Sequence, residues 1–312
     1  MISSDLAQRL IEAGLDPDYV ERVARLAVAE DLAGGVDVTS VATVPSDQRA
    51  VADFVARDAG VVAGLVVAET VLAVAGGGDV VVRRGARDGD RVSGGDVLLT
   101  ATGLTRALLT AERTTLNLLS HLSGVATLTR RWVDAVAGTG AVVRDTRKTT
   151  PGLRALEKYA VRCGGGANHR MALSDAALVK DNHVVAAGGV LEAFAAVRTA
   201  FPDLPVEVEV DSVEQCELVV DAGVDLVLLD NMSVADLERC VAIARGRART
   251  EASGGLTLDR ARAVAQTGVD YLAVGALTHS APVLDIGCDF RRPAAPLSDT
   301  AAGAAAESAA GG

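Results

Sequence analysis

Three lysines occur in this chain of 312 residues, and all of them fall within one stretch. They are Lys148, Lys158 and Lys180, whereas arginine occurs 27 times. Lysine is a compact point charge and arginine a planar fork, so a retained lysine suggests a site that needs the former. Residues 144–180 hold eight cations and three acids, although the formal net charge of the chain is −11. The excess indicates either a solvated basic face or a pocket for a small anionic ligand.

The acidic balance of the whole chain excludes general nucleic-acid binding, which needs a broad basic surface. Within the basic stretch and just before it, several side chains are able to hold a small polyanion through charge-assisted hydrogen bonds. These candidates are Arg113, Arg147, His169, Arg170 and Lys180. His169 alone is equally compatible with a loop histidine whose hydrogen bonds are satisfied within the protein, and His183 and His279 are weaker candidates. Lys158 is either catalytic or a surface partner for a nearby acid.

Two carboxylates and two glycine turns follow the cationic stretch. Glu209 and Asp230 suit a hard divalent cation such as Mg²⁺ or the hydroxyls of a sugar. Ser253-Gly254-Gly255 and Gly275-Ala276 resemble the late loops of barrels that bind phosphate. Structural alternatives exist: alternation in VEVEVD would place both glutamates on a wet face, and Asp230 would cap a helix. Together the groups predict the chemistry of a phosphorylated, Mg²⁺-bound sugar and an acidic co-substrate. No Ser/His/Asp or Cys/His arrangement indicates a protein nucleophile.

Six short apolar runs position these groups. The runs end at Thr146, Lys180, Glu209, Asp230, Ser253 and Gly275. The last four ends are spaced by 21, 23 and 22 residues, as successive β–loop–α units would be. An open (β/α) barrel fits better than an open sheet because no dinucleotide-type glycine fingerprint follows any strand. In such a barrel the six ends meet at one rim.

Helices are predicted between and before these strands. Asp16-Pro17 has the capping residue and proline of a helix start. Residues 108–136 show helical periodicity, and Ser212, Ser233 and Thr257 are predicted to begin later helices. Residues 85–103 carry turn signals between β-type runs, which predicts a structural β-layer. The Ala/Gly/Ser/Pro-rich C-terminal segment predicts a disordered tail.

The cellular setting is predicted from what the sequence lacks. The four cysteines, Cys163, Cys216, Cys240 and Cys288, show no metal-ligand spacing and are expected to be inert thiols of a reducing compartment. No export signal and no apolar stretch of membrane-spanning length is visible. The sequence therefore predicts a cytoplasmic protein with no membrane partner.

With these residues assembled, the sequence resembles the quinolinate phosphoribosyltransferases. The motifs that carry the resemblance are EDLAGGVDVTS (30–40), AERTTLNLLSHLSGVAT (111–127), DTRKTTPGLRALEKYAVRCGGGANHR (145–170), LVKDNH (178–183), VEVEVDS (206–212), LLDNM (228–232), EASGGL (251–256) and VGALTHS (274–280). The resemblance implies an enzyme that joins quinolinate to 5-phosphoribosyl 1-diphosphate, releasing pyrophosphate and CO₂ and giving nicotinate mononucleotide for NAD synthesis. It implies an N-terminal α/β sandwich domain over 1–115, rejoined by 283–292. A barrel domain over 116–282 and a tail over 293–312 complete the predicted organisation.

The resemblance also implies a role for each matched residue. Arg147, His169, Arg170 and Lys180 would face the two carboxylates of quinolinate, joined by Arg113 from the other subunit of a homodimer. Lys148 would face the diphosphate, Glu209 and Asp230 the ribose and Mg²⁺, and Ser253-Gly254-Gly255 with Gly275-Ala276 the 5-phosphate. Thr146, Val274 and His279 complete the predicted substrate-binding set. Lys148, Glu209 and Asp230 are the predicted catalytic residues, and the last two are the predicted metal ligands.

Two other functions are compatible with the same residues. A nicotinate-type phosphoribosyltransferase would take a monocarboxylate and would not decarboxylate it. The alternative that is not an enzyme is a barrel that binds carboxylate or phosphate without turnover. Four or five cations aimed at the acid favour a dicarboxylate.

Overall fold

The computed structural model describes residues 2–291, so the predicted tail lies outside the described residues. The helices are α1 Ser4–Glu12, α2 Pro17–Leu32, α3 Val38–Thr43, α4 Leu65–Gly76, α5 Thr105–Ala135, α6 Arg154–Cys163, α7 Asp181–Ala187, α8 Val190–Ala200, α9 Val213–Asp221, α10 Val234–Ala244, α11 Ala261–Ala265 and α12 Ala276–His279. The strands are β1 Arg49–Ala56, β2 Gly60–Val61, β3 Val81–Arg84, β4 Arg91–Val92, β5 Val97–Leu104, β6 Val142–Arg144, β7 Ala177–Val179, β8 Val206–Val210, β9 Leu226–Asp230, β10 Arg249–Ser253, β11 Tyr271–Ala273 and β12 Ile286–Arg291.

The larger sheet contains all six strands predicted for the barrel. Their order is β6-β11-β10-β9-β8-β7, and every pairing in it is parallel. Within the described residues no ladder joins β6 to β7, so the barrel stays open between them. The prediction of an open (β/α) barrel is confirmed. Because the strands are parallel, their carboxyl ends lie at one rim.

Strands β2 and β4 form a two-stranded sheet, and a four-stranded antiparallel sheet is made of three strands that precede the barrel in the chain and one that follows it. Its strand order is β12-β1-β5-β3, and β12 pairs with β1 along its whole length. The chain therefore returns to this sheet after the last barrel strand. The long helix α5 joins the two parts and packs against α4 of the first and α6 of the second.

Most of the predicted helix starts are present. Asp16 caps the start of α2 by accepting from the backbone N–H of Asp18 at 3.0 Å. The side chains of Ser212 and Ser233 cap α9 and α10 by accepting from backbone N–H groups in the same way. The prediction that Thr257 begins a helix is wrong. Residues 257–260 form a turn, in which Arg260 N–H donates to the Thr257 carbonyl at 3.1 Å, and α11 starts after it.

The core is built from alanine, valine and leucine, as expected for a chain with only 3% aromatic residues. All four cysteines are free, and burial raises the pKa values of the Cys163 and Cys288 thiols to about 12. A thiol with a raised pKa carries little thiolate, which is the reactive form. Across the described residues, no helix is both long and apolar enough to cross a membrane.

Candidate active site

A cavity of about 700 Å³ opens at the carboxyl ends of the barrel strands. Eleven of the predicted site residues line it: Thr146, Arg147, Lys148, His169, Arg170, Lys180, Glu209, Asp230, Ser253, Gly254 and Gly255. Leu178, Asp181, Leu228, Asn231, Glu251 and Ala273 line it as well. One cavity thus joins the lysine-containing stretch to carboxylates and a glycine turn from three further strands, β8, β9 and β10.

The remaining predicted residues do not line this cavity. Val274 is buried behind β11 and Ala276 begins α12, but Gly275 and His279 lie beside Lys148. A Cβ added at Gly275 would lie 3.1 Å from Lys148 Cδ and 3.2 Å from His279 Nε2. Glycine at this position therefore lets the lysine side chain pass close to the backbone of the turn.

Arg113 lies apart from the cavity in this single chain. It is an exposed residue of α5. Its predicted role, which requires a second copy of the chain, remains a prediction.

The loop that carries Lys148 is held at its backbone. Lys148 N–H donates to Thr146 Oγ1 at 3.0 Å, and Thr278 Oγ1 donates to the Lys148 carbonyl at 2.7 Å. Glu157 accepts from Thr150 N–H at 3.0 Å and contacts His121 Nε2 at 2.9 Å. These bonds fix the loop while leaving the ammonium of Lys148 exposed.

The two predicted metal ligands stand on adjacent strands. Glu209 lies on β8 and forms an ion pair with Lys180, whereas Asp230 ends β9. Asp230 Oδ2 accepts from the side-chain amide of Asn231 at 2.8 Å. The hard oxygen atoms of both carboxylates face the same cavity, which is the kind of donor that Mg²⁺ prefers.

Asn231 is a cavity residue that sequence reasoning missed. It adopts the left-handed conformation with φ of 54°, and a Cβ added at Gly254 would lie 2.5 Å from its Cγ. Asparagine tolerates positive φ better than most residues, so its place directly after a strand end was the available signal. Asn231 therefore leaves no room for a side chain at residue 254.

Two arginines, Arg147 and Arg170, line the same cavity, and we call the part that they form the diacid side. The Nε atoms of Arg147 and Arg170 are buried and lack a hydrogen-bond partner within the described protein. Burial, and then the neighbouring charge of Arg147, lower the pKa of Arg170. Unpartnered buried donors are costly, so a carboxylate arriving here would satisfy them.

Beneath the diacid side lies a buried cluster that the sequence did not reveal. His169 Nε2 is 2.8 Å from Glu207 Oε2 and 3.5 Å from Glu251 Oε1, and Arg144 Nη1 is 2.7 Å from Glu251 Oε2. The alternation in VEVEVD had suggested a wet face as the structural alternative. Instead, Glu207 is 5% exposed and Glu209 lines the cavity, so both side chains point into the barrel.

Glu251 gives this cluster a pH dependence. Burial, and then the charge of Glu207, raise the pKa of Glu251 from 4.5 to about 8, although Arg144 opposes the shift. Between these values the folded state binds more protons than the unfolded state, so the free energy of unfolding falls as pH rises, by at most about 1.4 kcal/mol per unit. We expect Glu251→Gln to remove this slope. Urea unfolding of both proteins from pH 5 to pH 9 measures it, and parallel curves would contradict the expectation.

Lys158 is neither a surface residue nor a residue of the cavity. It is fully buried, forms an ion pair with Asp145, and donates to the His169 carbonyl at 2.9 Å. Burial lowers the pKa of Lys158, while Asp145 favours its charged form. Lys158 is therefore the partner of a nearby acid, but the prediction of a surface position for it is wrong, because the ion pair with Asp145 is fully buried.

Replacing Lys158 by methionine is expected to destabilise the protein strongly. The change keeps the length of the side chain but leaves Asp145 buried without its cation, a loss of about 3–5 kcal/mol. Chemical denaturation measures it. Arg245→Ala, at an exposed position that ends α10, serves as the control and should change stability by no more than about 0.5 kcal/mol. An equally small effect of Lys158→Met would contradict the expectation.

An open parallel barrel with cations, paired carboxylates and a glycine turn around one cavity defines a protein that binds anionic, phosphorylated small molecules. Comparison with known proteins specifies the group. Residues 37–123 match the family described as "Quinolinate phosphoribosyl transferase, N-terminal domain", and residues 125–289 match its C-terminal domain. The chain belongs to the quinolinate phosphoribosyl transferase family.

Individual relatives agree with this assignment. The chain is 53% identical over 279 residues to "Nicotinate-nucleotide pyrophosphorylase [carboxylating]" of Mycobacterium leprae, covering 88% of this chain and 98% of that protein. Its fold is similar to the crystal structure of NadC from Streptococcus pyogenes, with a TM-score of 0.86 and 40% identity over 90% of this chain and 99% of that one. Human nicotinic acid phosphoribosyltransferase shares the fold alone, with a TM-score of 0.59 and 14% identity over 81% and 72% of the two chains.

Proposed function

We propose that this chain transfers the phosphoribosyl group of 5-phosphoribosyl 1-diphosphate to quinolinate and decarboxylates the product to nicotinate mononucleotide. The observation that carries the proposal is that one cavity holds both sets of groups. Arginine Nε donors that are buried and lack a partner among residues 2–291 mark the diacid side, and Glu209, Asp230 and Ser253-Gly254-Gly255 of the same cavity make up what we call the phosphate side. Family membership and relatives named for this carboxylating reaction support it.

The first chemical step needs positioning rather than a protein nucleophile. The pyridine nitrogen attacks C1 of the ribose, and the bond from C1 to the diphosphate breaks. Lys148, whose ammonium is exposed at the cavity, would stabilise the negative charge that develops on the departing oxygens. Holding the two reactants at the two sides of one cavity also removes most of the entropic cost of their encounter.

The second step is the loss of CO₂ from the carbon adjacent to the alkylated nitrogen. The positive ring accepts the electron pair of the breaking bond, and a proton then replaces the carboxylate on that carbon. Arg147 and Arg170 would hold the other carboxylate and keep the ring in the plane that this electron flow requires. A monocarboxylate would leave part of this cation set without a partner.

The phosphate side fits a divalent cation. Glu209 and Asp230 supply hard oxygen donors from adjacent strands, and Mg²⁺ held there would neutralise charge on the diphosphate. Lys180 already forms an ion pair with Glu209, so metal binding and that pair compete for the same carboxylate. Asp230 does not share its carboxylate with Lys180 in this way, which supports it as the more readily available metal ligand.

The exposed position of Arg113 on α5 supports a role across a homodimer. An arginine that does not line the cavity of its own chain is available to reach the cavity of a second copy. The structure describes residues 2–291 of a single chain, so the homodimer is part of the proposal. The cytoplasmic setting likewise remains a prediction from sequence.

The test is turnover with the three components together. Purified protein, quinolinate, the phosphoribosyl donor and Mg²⁺ should release CO₂ and form nicotinate mononucleotide in equal amounts. Nicotinate in place of quinolinate is the matched control, and it should give little or no product. Turnover of nicotinate but not of quinolinate would establish a nicotinate-type phosphoribosyltransferase that does not decarboxylate. Binding of the substrates without any product would establish a non-catalytic binding protein.

A further inference from the structure

Both ring nitrogens of His169 are bonded within the protein. Nδ1 accepts from the backbone N–H of Arg170 at 2.7 Å, and Nε2 lies 2.8 Å from Glu207 Oε2. A backbone N–H can only donate, so the ring hydrogen resides on Nε2 and is donated to Glu207. The imidazole therefore has no nitrogen available for a substrate carboxylate, although its edge lines the cavity.

The backbone of His169 is held equally firmly. Its N–H donates to Asp145 Oδ1 at 2.9 Å, and its carbonyl accepts from Lys158 Nζ at 2.9 Å. Asp145 and Lys158 are both fully buried, and His169 itself is 8% exposed. Every polar group of this residue thus has a partner inside the protein.

The residue that these bonds fix is Arg170. Its backbone N–H is bonded to the imidazole, and its guanidinium Nη1 donates to the Ala176 carbonyl at 2.8 Å. Its buried Nε has no partner among residues 2–291, and the side chain lines the cavity. Rotation of the imidazole would release the Arg170 N–H and move the guanidinium with the backbone.

Glu207 is what prevents that rotation. It is buried and lies on β8, so its carboxylate is a fixed acceptor for the Nε2–H of His169. A carboxylate that accepts from one ring nitrogen of histidine sets the role of the other. Here the other nitrogen must remain an acceptor for Arg170.

We propose that Glu207 and His169 are positioning residues for Arg170, and that neither of them is a ligand of the diacid. The resemblance had implied direct contact between His169 and quinolinate. The proposal rests on the proposed function, because its readout is the KM for quinolinate. Through Asp145, which directly precedes Thr146, the same bonds also join the two loops that deliver cations to the cavity.

The test compares two changes at Glu207. Glu207→Leu removes the acceptor and should raise the KM for quinolinate about tenfold or more, which corresponds to the loss of one charge-assisted hydrogen bond. The KM for the phosphoribosyl donor should stay within about twofold. Glu207→Gln keeps an oxygen that accepts from Nε2–H and should restore most of the affinity for quinolinate.

A second pair of variants acts on the histidine itself. His169→Asn offers an amide oxygen near the position of Nδ1, whereas His169→Leu offers none. We expect the asparagine variant to have a KM for quinolinate several times lower than that of the leucine variant, on the order of one hydrogen bond. Equal values in this pair, or an unchanged KM for quinolinate in Glu207→Leu, would overturn the proposal.

Glu69→Leu is the matched control for loss of a buried carboxylate. Glu69 is 4% exposed and bonds Arg9 and Arg84 in the N-terminal part of the chain, away from the cavity. This variant should lower the melting temperature and leave both KM values unchanged. If Glu207→Leu does not fold, Glu207→Gln and the histidine pair decide the question. Absence of turnover by the wild-type protein would instead refute the proposed function.

Discussion

Replacing Arg170 by alanine is expected to raise the KM for quinolinate by about 100-fold. Two charge-assisted hydrogen bonds from one guanidinium contribute about 1.5 kcal/mol each, and a factor of ten corresponds to about 1.4 kcal/mol. The side chain lines the diacid side, and its buried Nε has no partner in the described protein. Removing it deletes guanidinium donors, the buried Nε among them, that the acid would satisfy.

Steady-state kinetics with each substrate varied in turn measures this effect. The KM for the phosphoribosyl donor should change by no more than about twofold, because the proposed contacts of Arg170 are with the acid and not with the donor. Arg245→Ala, which removes an exposed arginine from the end of α10, should leave both values unaltered. Equal increases for the two substrates would show that Arg170 does not contact the acid selectively.

Replacing Lys148 by arginine is expected to preserve the fold and to lower kcat by about 100- to 1,000-fold, the usual cost of removing one group that stabilises developing charge. The lysine side chain passes so close to Gly275 that a Cβ there would lie 3.1 Å from its Cδ, so a wider planar group would crowd this turn. Arginine also presents its charge as a fork instead of a point. The substitution keeps the charge but loses its position.

The measurement separates this effect from a loss of structure. Lys148 is exposed and its backbone bonds are unaffected, so the midpoint of thermal unfolding should match that of the wild type. The KM for quinolinate should also change little, because the diacid side is intact. A kcat close to the wild-type value would contradict the role of Lys148 at the diphosphate.

Much of the barrel was predictable because its signals are local. Each of the six apolar runs became a strand of the parallel sheet, and the polar residue at or after most of their ends lines the cavity. Thr257 failed as a helix start because a turn can satisfy the same local preferences. The predicted strand ends differ from the observed ones by two residues at β6 and β11 and by one residue at β7 and β8.

The interior of the site was less predictable. Glu207 and Glu209 are two residues apart on β8 and both point into the barrel, yet Glu207 is bonded to His169 and Glu209 to Lys180. Alternation along the strand indicates that they share a face and says nothing about which partner each will meet. Glu251, on β10, joins the cluster only because strands distant in sequence converge.

The sequence by itself determined that cations, carboxylates and glycine turns would gather at one rim, because residue type and strand spacing are properties of the chain alone. Only the tertiary structure decided which groups His169 and Lys158 bond to. Their hydrogen-bond partners come from β8, from the loop after β6 and from the neighbouring backbone, and directions of buried donors are set only when those segments pack. His169, which the resemblance had placed at the substrate, and Lys158, for which a catalytic role had been considered, are therefore both bonded to partners inside the protein.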